Sequence, residues 1–141
     1  MIFTDQVKAA FFLALLIWRE SRGEGAQGMT AVGCSVRDRV RNPGWWGNDY
    51  LSVIEKKWQY SSLTNPKDGQ LTAFPPQGDP QFDFALDSAI GIIGGWVRHP
   101  VAGADSYYDD SIPPPEWATP DKLVGKIGRL NFYNIDGKTE D

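Results

Sequence analysis

Ala9-Ala10-Phe11-Phe12-Leu13-Ala14-Leu15-Leu16-Ile17-Trp18-Arg19-Glu20 is the stretch on which the fold turns. Ten apolar residues in a row are too few to span a bilayer, which needs about 20. They suit a helix that is apolar on nearly every side, the central helix of a small α-rich domain. The predicted helix runs from a cap at Thr4 or Asp5 to about Arg22, with Gly23 and Gly25 as stop signals. On a 3.6-residue period Leu13, Leu16, Ile17 and Glu20 share one face, so a carboxyl stands at the edge of the core. Burial disfavours the ionised form of a carboxyl, and a glutamic acid so placed can donate a proton near neutral pH.

The 141 residues fit one domain with a single core, residues 1–141, and no separate second module. Six Trp, five Tyr and seven Phe make the chain aromatic-rich; such rings serve cores, and they also floor carbohydrate grooves by stacking on sugars. A net charge of −4 argues against a nucleic-acid binder, which would need a basic face. Cys34 is alone and His99 is the one histidine, so neither a disulfide nor a Cys/His metal cluster can form; no metal or cofactor is expected. His99, before Pro100, reads as a surface or helix-capping residue rather than a catalytic one. Ala9–Trp18 has the length of a signal-peptide core. However, only Lys8 precedes it as a positive charge and no small-residue cleavage site follows. The expectation is a chain with no export signal of its own and no stable membrane insertion.

A second helix is predicted over Ala26–Val40, with Met29, Val32, Val36 and Val40 inward and Arg37, Arg39 and Arg41 outward, ended by Asn42-Pro43-Gly44. Trp45–Asp49 reads as a loop before a short helix over Leu51–Trp58. Gln59-Tyr60-Ser61-Ser62 then enters a long Pro/Gly/Asn-rich loop, Leu63–Gly78. Asp79-Pro80 starts another helix that should bury Phe82, Ala85, Leu86, Ala89, Ile90 and Ile93 and stop before Pro100. Strands are expected over Ala104–Tyr108, Leu123–Ile127 and Leu130–Ile135, the last two joined at Gly128-Arg129. A stiff Pro113-Pro114-Pro115-Glu116-Trp117 loop lies between. The fold class is α+β: mostly α, with a small late antiparallel β element.

Two-acid glycosidases hold their carboxyls about 5–5.5 Å apart for retention or 6.5–9.5 Å for inversion. Glu24, one turn after Glu20, would flank the same side of a bond, so it reads better as support for the glycine-rich turn. Asp105, Asp109 and Asp110 are the other candidates for a second acid, each more simply a turn or solvated residue. Gln59 and Ser61 alternate around Tyr60 and could point together into a cleft. Arg19 and Arg22 would work against a raised pKa at Glu20 if they turned inward.

Glu20-Ser21-Arg22-Gly23-Glu24, then Gln27–Val32 and Val36-Arg37-Asp38-Arg39-Val40, resembles the opening of the SleB-like cell wall hydrolases: an E-A-R-G-E element and a G-x-x-A-V helix ending in N-R-V. Gln59-Tyr60-Ser61 is similar to that family's Q-F-S. Gly103-Ala104, Tyr107 and Trp117 follow its G-A…Y…W order, and Ile127-Gly128 with Phe132-Tyr133 its closing I-G…F-Y. The elements come in order over about residues 14–134. The chain departs from the pattern at Arg19 and Ser21, at Ser62, and at Ser106, Tyr108 and Leu130, where histidines are common. No counterpart of the family's separate peptidoglycan-binding domain is expected.

The resemblance implies a lysozyme- or lytic-transglycosylase-like domain that cuts peptidoglycan glycan strands. Glu20 would be the single catalytic acid/base, acting at the bond between N-acetylmuramic acid and N-acetylglucosamine. The sugar's own C6 hydroxyl would be the nucleophile and an anhydromuramic end the product. Glu24, Gln59, Tyr60, Ser61, Tyr107, Tyr108, Trp117 and Tyr133 would contact substrate. The expected partners are peptidoglycan strands alone, the chain being a monomer. A phage endolysin or virion-associated lysin, made in the host cytoplasm and reaching the wall through a holin or the particle, is the expected setting. Two alternatives stand beside it: a muramidase-type hydrolase with a second carboxylate, and an inactive peptidoglycan-binding structural module.

Overall fold

A computed structural model of the chain describes residues 2–42, 46–56, 60–65 and 67–136, with the backbone alone at 2–4, 61 and 64. Among these residues five α-helices come first: α1 (Ile2–Ser21), α2 (Gly25–Arg41), α3 (Tyr50–Glu55), α4 (Ser61–Thr64) and α5 (Pro80–Gly94). Three strands follow, β1 (Ser106–Asp109), β2 (Leu123–Ile127) and β3 (Leu130–Tyr133), in one antiparallel sheet of order β1-β3-β2. The α+β expectation is what is found, with the helices and the late sheet in the order read from the sequence.

The apolar decamer is the axis of the helical part. Leu13–Trp18 are all buried, and α1 packs against α5, α2, α3 and α4. A close approach tightens this arrangement at Gly33 of α2, where a Cβ would stand 2.6 Å from Ile92 Cδ1 and 2.7 Å from Ile17 Cδ1. The bare backbone there lets α1 and α5 seat on α2, and a larger residue would overpack the three-helix contact.

Several boundaries move for local reasons. Helix α1 begins before Thr4 and Asp5, so neither is its cap; Asp5 instead places its charge in the first turn, where the helix dipole favours it. Asp49 and Ser52 form a reciprocal capping box, which starts α3 at Tyr50, and the helix ends at Glu55; Trp58 lies outside the described residues. The expected Leu63–Gly78 loop contains the end of α4 and a 3₁₀ turn at Gly69–Thr72, capped by Asp68. Helix α5 stops at Gly95, whose φ of 90° is left-handed, five residues before Pro100. It buries Ile92 against Gly33 of α2 and leaves Ile90 46% exposed, against the expectation for Ile90.

The arginines of α2 are the larger correction. Arg37 and Arg39 are buried, and Arg41 alone faces out. Arg39 Nε donates to the Asp105 carbonyl at 2.6 Å and a guanidinium nitrogen meets Ser106 Oγ at 3.2 Å. Its guanidinium lies over the rings of Trp46 and Tyr60. A guanidinium tolerates burial when its donors find carbonyls and its faces find rings. Arg39 thus pins the helical part to the start of β1.

His99 is buried rather than at the surface, and it caps no helix. Its Nδ1 accepts from Val101 N at 3.1 Å, which leaves Nε2 to donate to the Ala104 carbonyl at 2.9 Å. That pair of bonds selects the neutral ring. Burial pushes its pKa down to about 4 from 6.5, the Ala104 carbonyl working the other way. Asp38 Oδ2, 3.6 Å from Nε2, also favours the charged ring, and burial outweighs it. With the folded pKa below the unfolded one, His99 contributes its full stability above pH 6.5 and loses it as pH falls towards 4. Acid titration of thermal stability should show a loss of up to about 3 kcal/mol across this window. His99→Gln, which keeps the donor to Ala104, should flatten that part of the curve.

Candidate active site

Glu20 stands one residue before the end of α1, half-buried, and opens into a cleft of about 450 Å³. The helical part lines one side with Glu20, Arg39, Trp46 and Tyr60. Strand β1 and the following loop line the other with Tyr107, Tyr108, Asp109 and Trp117. Tyr107 crosses from β1 to Glu20, its hydroxyl donating to Oε1 at 3.1 Å. Burial raises the Glu20 pKa, and the negative charge of Asp68 adds to the rise; the Ser62 hydroxyl and backbone and the Tyr107 hydroxyl oppose it. The net direction is upward from the ordinary 4.5, as a proton donor needs.

Arg19 does not spoil this. It turns from Glu20, with Nε on the Ala73 carbonyl at 2.9 Å, a terminal nitrogen on the Ser62 carbonyl at 3.0 Å, and Phe74 against its guanidinium. Arg22 likewise lies over Trp18 and donates to Gln70 Oε1 at 2.7 Å. Both arginines tie the 60s and 70s segment to the end of α1, which sets Ser62 beside the Glu20 carboxyl. The basic residues flanking the acid are therefore structural clamps.

The other acids are engaged elsewhere. Glu24 Oε1 accepts from Arg129 N at 3.1 Å, so it holds the β2–β3 turn and lines no part of the cleft. Asp105 is 2% exposed and accepts from Ile135 N, Asp136 N and Ser106 Oγ, ending the sheet after β3 with a side chain in place of a strand. Asp110 pairs with Lys126 and accepts from Asn131. Asp109 alone of these lines the cleft. Its Oδ1 lies 3.1 Å from an Arg129 guanidinium nitrogen and accepts from Ser111 N at 2.7 Å.

Of the residues named from sequence as substrate contacts, Tyr60, Tyr107, Tyr108 and Trp117 line the cleft. Tyr133 lies behind them, stacked on Tyr108 at 5.9 Å and edge-on to Trp117 at 5.6 Å. It supports the aromatic wall rather than facing the opening. Gln59 lies outside the described residues, and of Ser61 only the backbone, in α4, is described. Arg39 and Trp46 were not anticipated as cleft residues. The Trp45-Trp46 doublet before the Asn48-Asp49 cap was the available signal for Trp46; nothing local marks Arg39.

Residues 23–133 match a family described as Cell Wall Hydrolase. The chain belongs to the cell wall hydrolase family. The match opens three residues after Glu20, so the cleft acid borders the matched region. In fold, this cell wall hydrolase is similar to the catalytic domain of the germination-specific lytic transglycosylase SleB of Bacillus anthracis. The two share 24% identity at a TM-score of 0.67, over 89% of this chain and 93% of that one. The catalytic domain of the Bacillus cereus SleB protein matches at 24% identity and a TM-score of 0.68, over 89% and 88% of the two chains. No curated protein sequence matches. Among the described residues of the cell wall hydrolase no helix is long and apolar enough to cross a membrane, and no group of three His, Cys, Asp or Glu residues could hold a metal ion.

Tyr107 donates to the ionised form of Glu20, so removing its hydroxyl should raise the Glu20 pKa further. For a general acid, the rate falls as pH rises through that pKa. Tyr107→Phe should therefore move the alkaline limb of kcat/KM to higher pH, measured on purified cell wall. A shift to lower pH would contradict the hydrogen-bond assignment.

Proposed function

We propose that this protein is a peptidoglycan lytic transglycosylase in which Glu20 acts first as acid and then as base. The observation that carries the reading is the Glu20 carboxyl, of raised pKa in an aromatic cleft, while Glu24, Asp105 and Asp110 hold other partners and Asp109, which also lines the cleft, pairs with Arg129. Family membership and the fold shared with catalytic domains titled SleB support it.

Protonated Glu20 gives its proton to the glycosidic oxygen as the bond to C1 of the muramic residue breaks. Positive charge develops at C1, and the resulting Glu20 carboxylate lies against it. The carboxylate then takes the proton of the muramic C6 hydroxyl as O6 closes on C1. The products are a new 4-hydroxyl end and a 1,6-anhydromuramic end, and Glu20 is protonated again. The substrate supplies the nucleophile, so one carboxyl is sufficient. Tyr108 and Trp117 offer ring faces to the flanking sugars.

Asp109, the second acid on the cleft, favours one other reading: hydrolysis, with Asp109 guiding a water. Mass spectrometry of digested peptidoglycan separates the two. Anhydromuramic ends are expected. Reducing ends throughout would replace transglycosylation by hydrolysis and point to Asp109.

A further inference from the structure

Away from the cleft, α1 and α5 leave an apolar groove of about 580 Å³ lined by Val7, Phe11, Leu86, Ile90, Ile93 and Trp96. It shares no lining residue with the cleft. Trp96 is 72% exposed, Val7 67%, and Phe11 and Ile90 nearly half exposed, a contiguous patch of the kind that marks a docking surface. Trp96 is not a loose side chain. Its ring rests on the bare backbone of α5 at Gly94, where a Cβ would overlap it.

Trp96 also lines a second pocket, of about 280 Å³, with Arg37, Arg41 and Arg98. Arg37 is 4% exposed; one terminal nitrogen donates to the Val97 carbonyl, and its buried Nε has no hydrogen-bond partner. Arg41 and Arg98 are exposed and form no ion pair among the described residues. The acids of α5, Asp83 and Asp87, are exposed but line neither pocket. In a chain of net charge −4, three guanidinium groups thus line one pocket at the end of an apolar groove, and no acid among the described residues lines it with them.

We propose that this face binds an anionic phospholipid surface, with a headgroup phosphate on Arg37, Arg41 and Arg98 and an acyl chain along the α1–α5 groove. Trp96, apolar on its face and a donor at its Nε1, occupies the boundary between the two, as indoles do at membrane interfaces. The continuity of cationic pocket and apolar groove through one residue fits a ligand with a charged head and a hydrocarbon tail. A soluble phosphate polymer would leave the groove unused. Such contact would hold the enzyme against a membrane with the cleft free for the wall.

Vesicle co-sedimentation of the full chain tests this. Binding is expected to vesicles of equal parts phosphatidylglycerol and phosphatidylcholine, to weaken with salt, and to be absent on phosphatidylcholine alone. The double variant Arg41→Gln/Arg98→Gln should weaken binding about thirtyfold and leave cleavage of peptidoglycan fragments in solution unchanged. Trp96→Ser should weaken binding without altering its salt dependence. The proposal is overturned if the wild type ignores anionic vesicles or if the arginine variant binds as tightly as wild type. It is equally overturned if purified teichoic acid binds the arginine pocket while vesicles do not. A dimer in light scattering that Trp96→Ser dissolves would assign the groove to a second copy of the chain and overturn it too.

Discussion

Glu20→Gln should lower the rate of peptidoglycan cleavage by about 10²–10⁴-fold, the usual worth of a general acid, while the protein stays folded. The amide keeps the shape of the carboxyl and can still accept from Tyr107, whose hydroxyl lies 3.1 Å from Oε1. What is lost is the transferable proton. The same variant carries a stability signature that separates loss of chemistry from loss of fold. Burial raises the Glu20 pKa above 4.5, so the folded state prefers the protonated group. Its stability contribution is complete below the unfolded pKa and is lost as pH rises through the folded one. An amide never ionises, so Glu20→Gln should melt at a higher temperature than wild type at neutral pH and converge with it in acid. An inactive variant that is less stable at neutral pH would instead mean that Glu20 is a structural group. Equal clearing of purified peptidoglycan by both proteins would remove Glu20 from the mechanism.

Arg39→Met should cost about 3 kcal/mol, the sum expected for charge-assisted hydrogen bonds and ring contacts made out of water. For a chain of this size that is a fall of about 10 °C in Tm. Methionine keeps most of the aliphatic stem but leaves the Asp105 carbonyl and Ser106 Oγ without the guanidinium, and Trp46 and Tyr60 without the charge between them. Because Arg39 joins α2 to the start of β1, the strand carrying Tyr107 and Asp109 should loosen with it. Thermal unfolding measures the first effect. The second shows as a lower kcat at temperatures well below the melt. A variant as stable as wild type would mean the guanidinium contributes nothing net despite its contacts.

The two arginine sets show where sequence reading succeeded and failed. Hydrophobic phase put Glu20 on the buried face of α1, and the cleft opens there. Phase also put Arg37 and Arg39 outside, because periodicity assumes that charge seeks water. Both are buried, Arg39 held by a carbonyl 66 residues away and by two rings. No local pattern encodes such partners. Arg19 is the converse: adjacency in sequence made it a threat to the Glu20 proton, and its bonds to Ser62 and Ala73 carry it elsewhere. Neighbours in sequence on a helix diverge by about 100°, so proximity along the chain says little about electrostatic contact.

The ten-residue apolar run, the helix stops and the short strand-like segments of the last third determined the element order and the α+β class, because those signals depend on residues within a turn or two of one another. The apolar run that ends at Glu20 likewise marked the acid without help from the fold. Tertiary structure alone decided which acids remain free for chemistry. Glu24 is taken by a turn 105 residues on, and Asp105 by amides 30 and 31 residues on. Whether a carboxyl keeps its proton depends on what the whole chain packs and points at it, and only the folded molecule specifies that.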